Sequence, residues 1–187
     1  NIPTVIKSQG NFLDIDFKVL HKLSGYGINI PEYYEVTPER VKMRYLDGLT
    51  VADYIDEFRD LNKLIEFCSH VIEQSFKHSL WHNITAELQD KFSSLDQLIP
   101  KEQLNFKLHD LYDRLPKEVQ CGVYHGDLTL ENIIYWNDEF YLIDAHYTAL
   151  NSPVFDCAKL RQDTECGWFV RNSDTNLEFD DRLKYCL

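Results

Sequence analysis

The sequence predicts an α+β fold with strands gathered near its start and helices after them, and three observations carry this expectation. β-branched and aromatic runs separated by turn residues occupy much of the first 46 residues. Helical periodicity then dominates from Asp60 to Trp81. A second pair of strand-type runs, Ile133 to Trp136 and Glu139 to Ile143, interrupts the helical part around Asn137-Asp138. The change of pattern places a boundary near Leu46, between a β-rich part (residues 1–46) and a mainly helical part (residues 47–187).

Thr4-Val5-Ile6-Lys7 is a short β-rich run, and a polar break at Ser8-Gln9-Gly10-Asn11 separates it from Phe12 to Leu23. There Ile15, Val19 and Leu23 recur at four-residue spacing, which predicts a helix closed by Ser24-Gly25. Glu32 to Val36 and Arg40 to Leu46 form a predicted hairpin around Thr37-Pro38-Glu39, where Pro pre-sets φ for a turn. Thr50-Val51-Ala52-Asp53 resembles a capping box and predicts a helix through about Phe58. From Asp60 to Trp81 the apolar positions Leu61, Leu64, Ile65, Cys68, Val71, Ile72, Phe76 and Leu80 predict one long central helix of about six turns. Residues 85–98 and 101–115 are further helix candidates bounded by Pro100 and Pro116. Val119 to Tyr124 reads as a strand, and residues 154–165 and 176–187 as closing helices.

Composition narrows the function classes. A 44% hydrophobic and 13% aromatic chain with seven Gly and six Pro is a folded globule. With 31 acidic against 19 basic residues, its net charge of -12 repels phosphate backbones and anionic lipid, so neither nucleic acid nor a membrane is expected as a partner. The five cysteines form no C-x-x-C pair, and read as reduced, buried thiols of a cytoplasmic protein. No run of 18 apolar residues and no signal-peptide pattern occurs. The first residue is Asn, and the last predicted helix looks unfinished, so both ends are expected to be cut from something longer.

The chemistry concentrates in His125-Gly126-Asp127-Leu128-Thr129-Leu130-Glu131-Asn132 and in Asp144. A hydroxyl attacking a γ-phosphate needs a carboxylate to orient it and accept its proton, and Asp127 sits in a loop after a strand, suited to that task. Asn132 offers an amide oxygen and Asp144 a carboxylate, ligand types that Mg²⁺ prefers. Asn-Asp tolerates the φ > 0 of a type I′ turn, so a two-residue loop sets Trp136 opposite Glu139 and Asn132 opposite Ile143. Asp144 then neighbours Asn132, provided the strand bends there, since an ideal pleat would turn the two side chains apart. His125 is expected to be structural, its ring bonded to backbone.

The His-Gly-Asp-x-x-x-x-Asn stretch, followed by a hydrophobic strand ending in Ile143-Asp144, resembles the aminoglycoside phosphotransferase and choline kinase-like families. The resemblance implies a protein kinase-like two-lobe fold with a reduced β-rich N-lobe, a hinge and a helical C-lobe. It implies ATP and Mg²⁺ as cofactors and a hydroxyl of a small molecule (a sugar, aminoalcohol or aminoglycoside) as acceptor. Asp127 then corresponds to the catalytic base, and Asn132 and Asp144 to the Mg²⁺ ligands. Lys7 corresponds to the lysine on the α/β-phosphates and Asp16 to its acidic partner, where the family usually has Glu. Met43 to Asp47 resembles the hinge, with Met43, Arg44 and Leu46 near adenine. Asp156 resembles the aspartate that opens the following helix and braces the catalytic loop.

Only six residues precede Lys7, so the Gly-rich phosphate loop of such kinases has no sequence here. A fragment lacking that loop is one expectation. A non-catalytic, kinase-like binding or regulatory domain is the alternative function. A metal-dependent phosphohydrolase using His125 and Asp127 would need further His/Asp clusters, whereas His70, His78 and His82 are expected on a helix between the kinase-like elements. Asp163, Glu165, Asp174 and Glu178 read as a solvated acidic face.

Overall fold

Strand-type runs at the start of the chain become a three-stranded antiparallel sheet, in a computed structural model that describes residues 2–8, 13–99, 108–146 and 150–170. β1 (Thr4–Lys7) and β2 (Tyr33–Val36) flank β3 (Val41–Arg44), with Lys7 opposite Val41 and Tyr33 opposite Met43. The Thr37 N–H donates to the Arg40 carbonyl (2.8 Å), closing the predicted turn. Between β1 and β2 runs α1 (Leu13–Ser24), which ends at Ser24-Gly25 as its sequence predicts and buries Leu20 and Leu23.

β4 (Leu49–Thr50) leads directly into α2 (Val51–Phe58). The Thr50 hydroxyl accepts from the Asp53 N–H (3.2 Å) and donates to the Asp53 carboxylate (2.7 Å), satisfying an orphan N–H of the first turn. Next comes α3 (Asn62–Lys77), whose Leu64, Cys68 and Val71 lie on one face and are fully buried. Each such side chain contributes roughly 1.5–3 kcal/mol by leaving water. They share the main core with Leu20, Leu23, Leu128, Leu130, Ile133, Phe140 and Leu142. A satellite core joins Ile84, Leu88, Val119 and Cys121 between α4 (Thr85–Leu98), α5 (Leu108–Arg114) and β6 (Glu118–Cys121).

The hairpin of β7 (Ile133–Trp136) and β8 (Glu139–Leu142) has the predicted register, Trp136 opposite Glu139 and Ile133 opposite Leu142. Asn137 and Asp138 take φ of 50° and 62°, the left-handed pair of a type I′ turn. β4 adds a third strand, setting Leu49 opposite Tyr135. Tyr54, Tyr135 and Phe140 then pack ring to ring at 4.6–5.1 Å, tying α2 to the hairpin. α6 (Pro153–Cys166) starts at Ser152, whose hydroxyl accepts from the Val154 N–H, and stops at Gly167 with φ 63°.

Several expectations are corrected. The helix predicted over residues 60–81 ends at Lys77, where the Ser79 hydroxyl and N–H both donate to the Phe76 carbonyl. Residues Leu80–Asn83 form β5 instead, paired antiparallel with β6. Leu80 and Trp81 keep the helical spacing, but they are exposed, so here the pattern does not mark a buried helix face. His78 therefore caps α3 and His82 lies on β5. β6 stops at Cys121 rather than continuing to Tyr124, and the helix predicted over 101–115 is described only from Leu108. Cys68 and Cys121 are buried as expected, whereas Cys157 is half-buried and Cys166 exposed. Phe12, the helix expected over 176–187 and Cys186 lie outside the described residues.

Candidate active site

The loop between β6 and β7 is held by hydrogen bonds to its backbone, beginning at His125. His125 is fully buried, and its Nε2 lies 2.7 Å from the Ile143 carbonyl, an oxygen that can only accept, so Nε2 carries the proton. Burial pushes the ring's pKa down to about 4 and keeps it neutral. The His146 N–H donates to the His125 carbonyl (2.9 Å), so this residue clamps the segment after β8 from two sides. The expected structural role of His125 is what the geometry shows.

Gly126 follows with φ of 86°, and a Cβ there would lie 1.8 Å from the His146 carbonyl oxygen. No side chain fits. That close approach carries the chain into Asp127, whose carbonyl accepts from the Thr129 N–H (2.8 Å) and from Asn132 Nδ2 (2.8 Å). Asn132 closes the short 3₁₀ turn Leu130–Asn132, and the same Nδ2 donates to Asp127 Oδ2 at 3.1 Å. Asp127 and Asn132 are thus in direct contact.

At the hairpin's open end the Ile143 N–H donates to the Asn132 carbonyl (3.0 Å), one step beyond the last paired residues of the strands. Asp144 then adopts φ of 54°, the break in the pleat required for its side chain to turn out of strand alternation. Its Oδ1 meets Lys7 Nζ at 3.2 Å, with both side chains part-exposed. Lys7, Asp16, Tyr33, Met43, Asp144 and Ala145 line one small depression of about 20 Å³. Asp16, the acidic partner of Lys7 that the resemblance implies, stands in the same wall as the Lys7–Asp144 ion pair. Of the hinge candidates, Met43 faces this depression. The Arg44 N–H donates to the Glu32 carbonyl (2.8 Å) and its guanidinium to the Glu32 carboxylate (2.9 Å), while Leu46 is buried.

α6 supplies what sequence reasoning saw only in part. Asp156, in its first turn, accepts from the His125 N–H (2.6 Å) and the Gly126 N–H (2.8 Å), the bracing that the resemblance implies. Asp163 accepts from the Leu130 N–H at 2.5 Å and is buried, which corrects its reading as a solvated acid. Burial raises both carboxyls to about 6, against the backbone N–H groups that favour their charged forms. Lys159, between them, places Nζ 3.0 Å from Asp127 Oδ1. Residues 156, 159 and 163 fall on one helix face, the signal that could have marked Lys159 and Asp163.

A cavity of about 850 Å³ opens over this loop, between α4 and α6, walled by Glu87, Asp90, Gly126, Asp127, Phe155 and Lys159 among others. A smaller one, about 260 Å³, lies on the Asn132 side and includes Asp163 and Trp168. Asp127, Lys159 and Gln162 stand in the walls of both.

Comparison with known proteins decides the fold. A solved glucosamine kinase superposes with a TM-score of 0.53 at 14% identity, over 98% of this chain and 58% of that one. The fold is kinase-like. Two LicA proteins of Haemophilus influenzae, one of them from strain Rd, align over 161 residues at 22% and 21% identity, covering 80% of this chain. The chain spans 60% and 48% of the length of these curated relatives. No family model matches the sequence.

Proposed function

We propose that this chain carries the catalytic part of an ATP- and Mg²⁺-dependent phosphotransferase acting on a hydroxyl of a small molecule. The observation that carries the reading is the Asp127–Asn132 contact set one residue from the turned-out Asp144, with Lys7 bonded to that same Asp144. On this reading residues 1–46 cover the nucleotide and the rest of the chain supplies the catalytic loop.

The donor set suits Mg²⁺. Among the described residues no group of three or more His, Cys, Asp or Glu could hold a metal by itself, and Mg²⁺ at phosphoryl-transfer sites characteristically takes one or two carboxylates, completing its shell with phosphates and water. Asp144 would give a carboxylate oxygen, and Asn132 its Oδ1, since its Nδ2 is committed to Asp127. The bound ion would neutralise charge on the phosphate oxygens. Lys7 would exchange Asp144 for the α/β-phosphates, with Asp16 as its acidic partner. Met43, Arg44 and Leu46 would border the adenine, Met43 by its side chain. Asp127 would accept the proton from an acceptor hydroxyl in the larger cavity, whose volume suits a sugar, an aminoalcohol or an aminoglycoside fragment.

Among the described residues no helix is long and apolar enough to cross a membrane. A cytoplasmic protein with a small-molecule partner and no nucleic acid fits the net charge of -12. The test is Asp127→Asn in the full-length protein, assayed for ADP release against sugars, aminoalcohols and aminoglycosides. Turnover should fall by about 10²-fold or more while Mg-ATP affinity by calorimetry stays nearly native. Native-like turnover in that variant would remove the assignment, and the absence of Mg-ATP binding by the native protein would favour a non-catalytic kinase-like domain.

A further inference from the structure

We infer that Lys159 is a positioning residue for the Asp127 carboxylate, an inference that rests on the phosphotransferase reading. Three side chains of α6 reach the loop, and they do different things. Asp156 and Asp163 are buried and accept from backbone N–H groups, which fixes the path of the chain. Lys159 alone of the three reaches the Asp127 side chain.

The Asp127 carboxylate is held once at each oxygen. Asn132 Nδ2 is 3.1 Å from Oδ2, and Lys159 Nζ is 3.0 Å from Oδ1. An ionised carboxylate has about four lone-pair sites, so these two bonds orient it and leave capacity for an acceptor hydroxyl. Without Lys159 the carboxylate keeps the Asn132 contact, a single bond about which it can swing. A reacting group displaced by about 1 Å can lose on the order of 10²-fold in rate.

Location supports the same conclusion. Asp127 and Lys159, together with Gln162, line both the larger cavity, where the acceptor would sit, and the smaller cavity beside Asn132. The Lys159 and Asp127 side chains are 43% and 39% exposed, so the pair adds little to folding stability. A large effect of its removal would therefore appear in catalysis rather than in stability.

The experiment is Lys159→Met and Lys159→Arg in the full-length protein, with ADP release measured against Mg-ATP and acceptor, nucleotide affinity by calorimetry, and thermal unfolding. Lys159→Met should lower kcat by about 30- to 100-fold with both KM values within about threefold of native. Its unfolding midpoint should stay within about 2 °C of native. Lys159→Arg, which keeps the cation, should recover kcat to within about fivefold of native. A native protein that turns over with Lys159→Met at unchanged kcat overturns this inference and leaves the phosphotransferase reading standing. So does a raised KM for ATP at unchanged kcat, which would make Lys159 a nucleotide ligand. A native protein that releases no ADP with any acceptor removes the phosphotransferase reading, and the inference with it.

Discussion

Under the loop between β6 and β7 the α6 carboxyls of Asp156 and Asp163 are buried and accept from the loop's backbone N–H groups, whereas at the edge of the first sheet Lys7 and Asp144 face each other in part-exposed surroundings. A buried carboxylate on backbone donors has no alternative partner, because each donor it abandons is left unsatisfied. An exposed ion pair can trade its partner for a ligand at little cost. The first arrangement keeps Asp127 and Asn132 in place; the second leaves Lys7 and Asp144 free to change partners.

Breaking the buried side should have the largest effect. Asp156→Ala strands the His125 and Gly126 N–H groups in the interior, and about 3–5 kcal/mol of stability should be lost, measured by denaturant unfolding. A loss under about 1 kcal/mol would show that water replaces the carboxylate and that the loop is not built on it. Gly126→Ala attacks the same loop through its backbone. With φ of 86° and a Cβ position 1.8 Å from the His146 oxygen, the loop must shift, costing about 2–3 kcal/mol and lowering turnover further than stability alone would explain.

A pH series sharpens the comparison. The His125 pKa is lowered from 6.5 to about 4, so the folded state favours the neutral ring. Its contribution is fully present above pH 6.5 and is lost as the pH falls through 4. Asp156 and Asp163 act in the opposite sense. Raised from 3.8 to about 6, their charged forms cost stability at neutral pH, and that cost is relieved as the pH falls through this range. His125→Gln isolates the first effect, because its amide cannot take up a proton and can still donate to Ile143. The stability gap between native and variant should narrow by about 2–3 kcal/mol on going from pH 7 to pH 4. A gap independent of pH would mean that the ring takes up a proton as readily in the fold as in the unfolded chain.

What was legible in the sequence follows the range of the interactions. The Asn137-Asp138 hairpin is local, so its register, the meeting of Asn132 with Ile143 and the need for a bend at Asp144 could all be read from a dozen residues. The kinase-like fold was legible through the same stretch. Lys159 and Asp163 were not, because their partners depend on how α6 packs against a loop some thirty residues earlier, and a Lys or Asp on a helix is ordinarily solvated. The overlong central helix has a related cause. Leu80 continues the spacing of Phe76, while what makes it a strand residue is its distant partner Cys121. The ion pair of Lys7 with Asp144 was not legible either, because it joins residues 137 positions apart in the chain.

The exposed side should respond in the opposite proportion. Lys7→Ala removes a pair whose side chains are 38% and 44% exposed, so stability should change by less than about 0.5 kcal/mol. If Lys7 leaves Asp144 for phosphate when nucleotide binds, Mg-ATP affinity should nevertheless fall by about tenfold or more, since a charge-assisted bond contributes about 1.5–3 kcal/mol. Titration calorimetry beside denaturant unfolding separates the two quantities in one protein. A stability loss comparable to that of Asp156→Ala would make Lys7–Asp144 a structural clasp of the same kind as the α6 contacts. Unchanged nucleotide affinity would mean that Asp144, rather than phosphate, is the lasting partner of Lys7, and the metal role proposed for Asp144 would have to be given up with it.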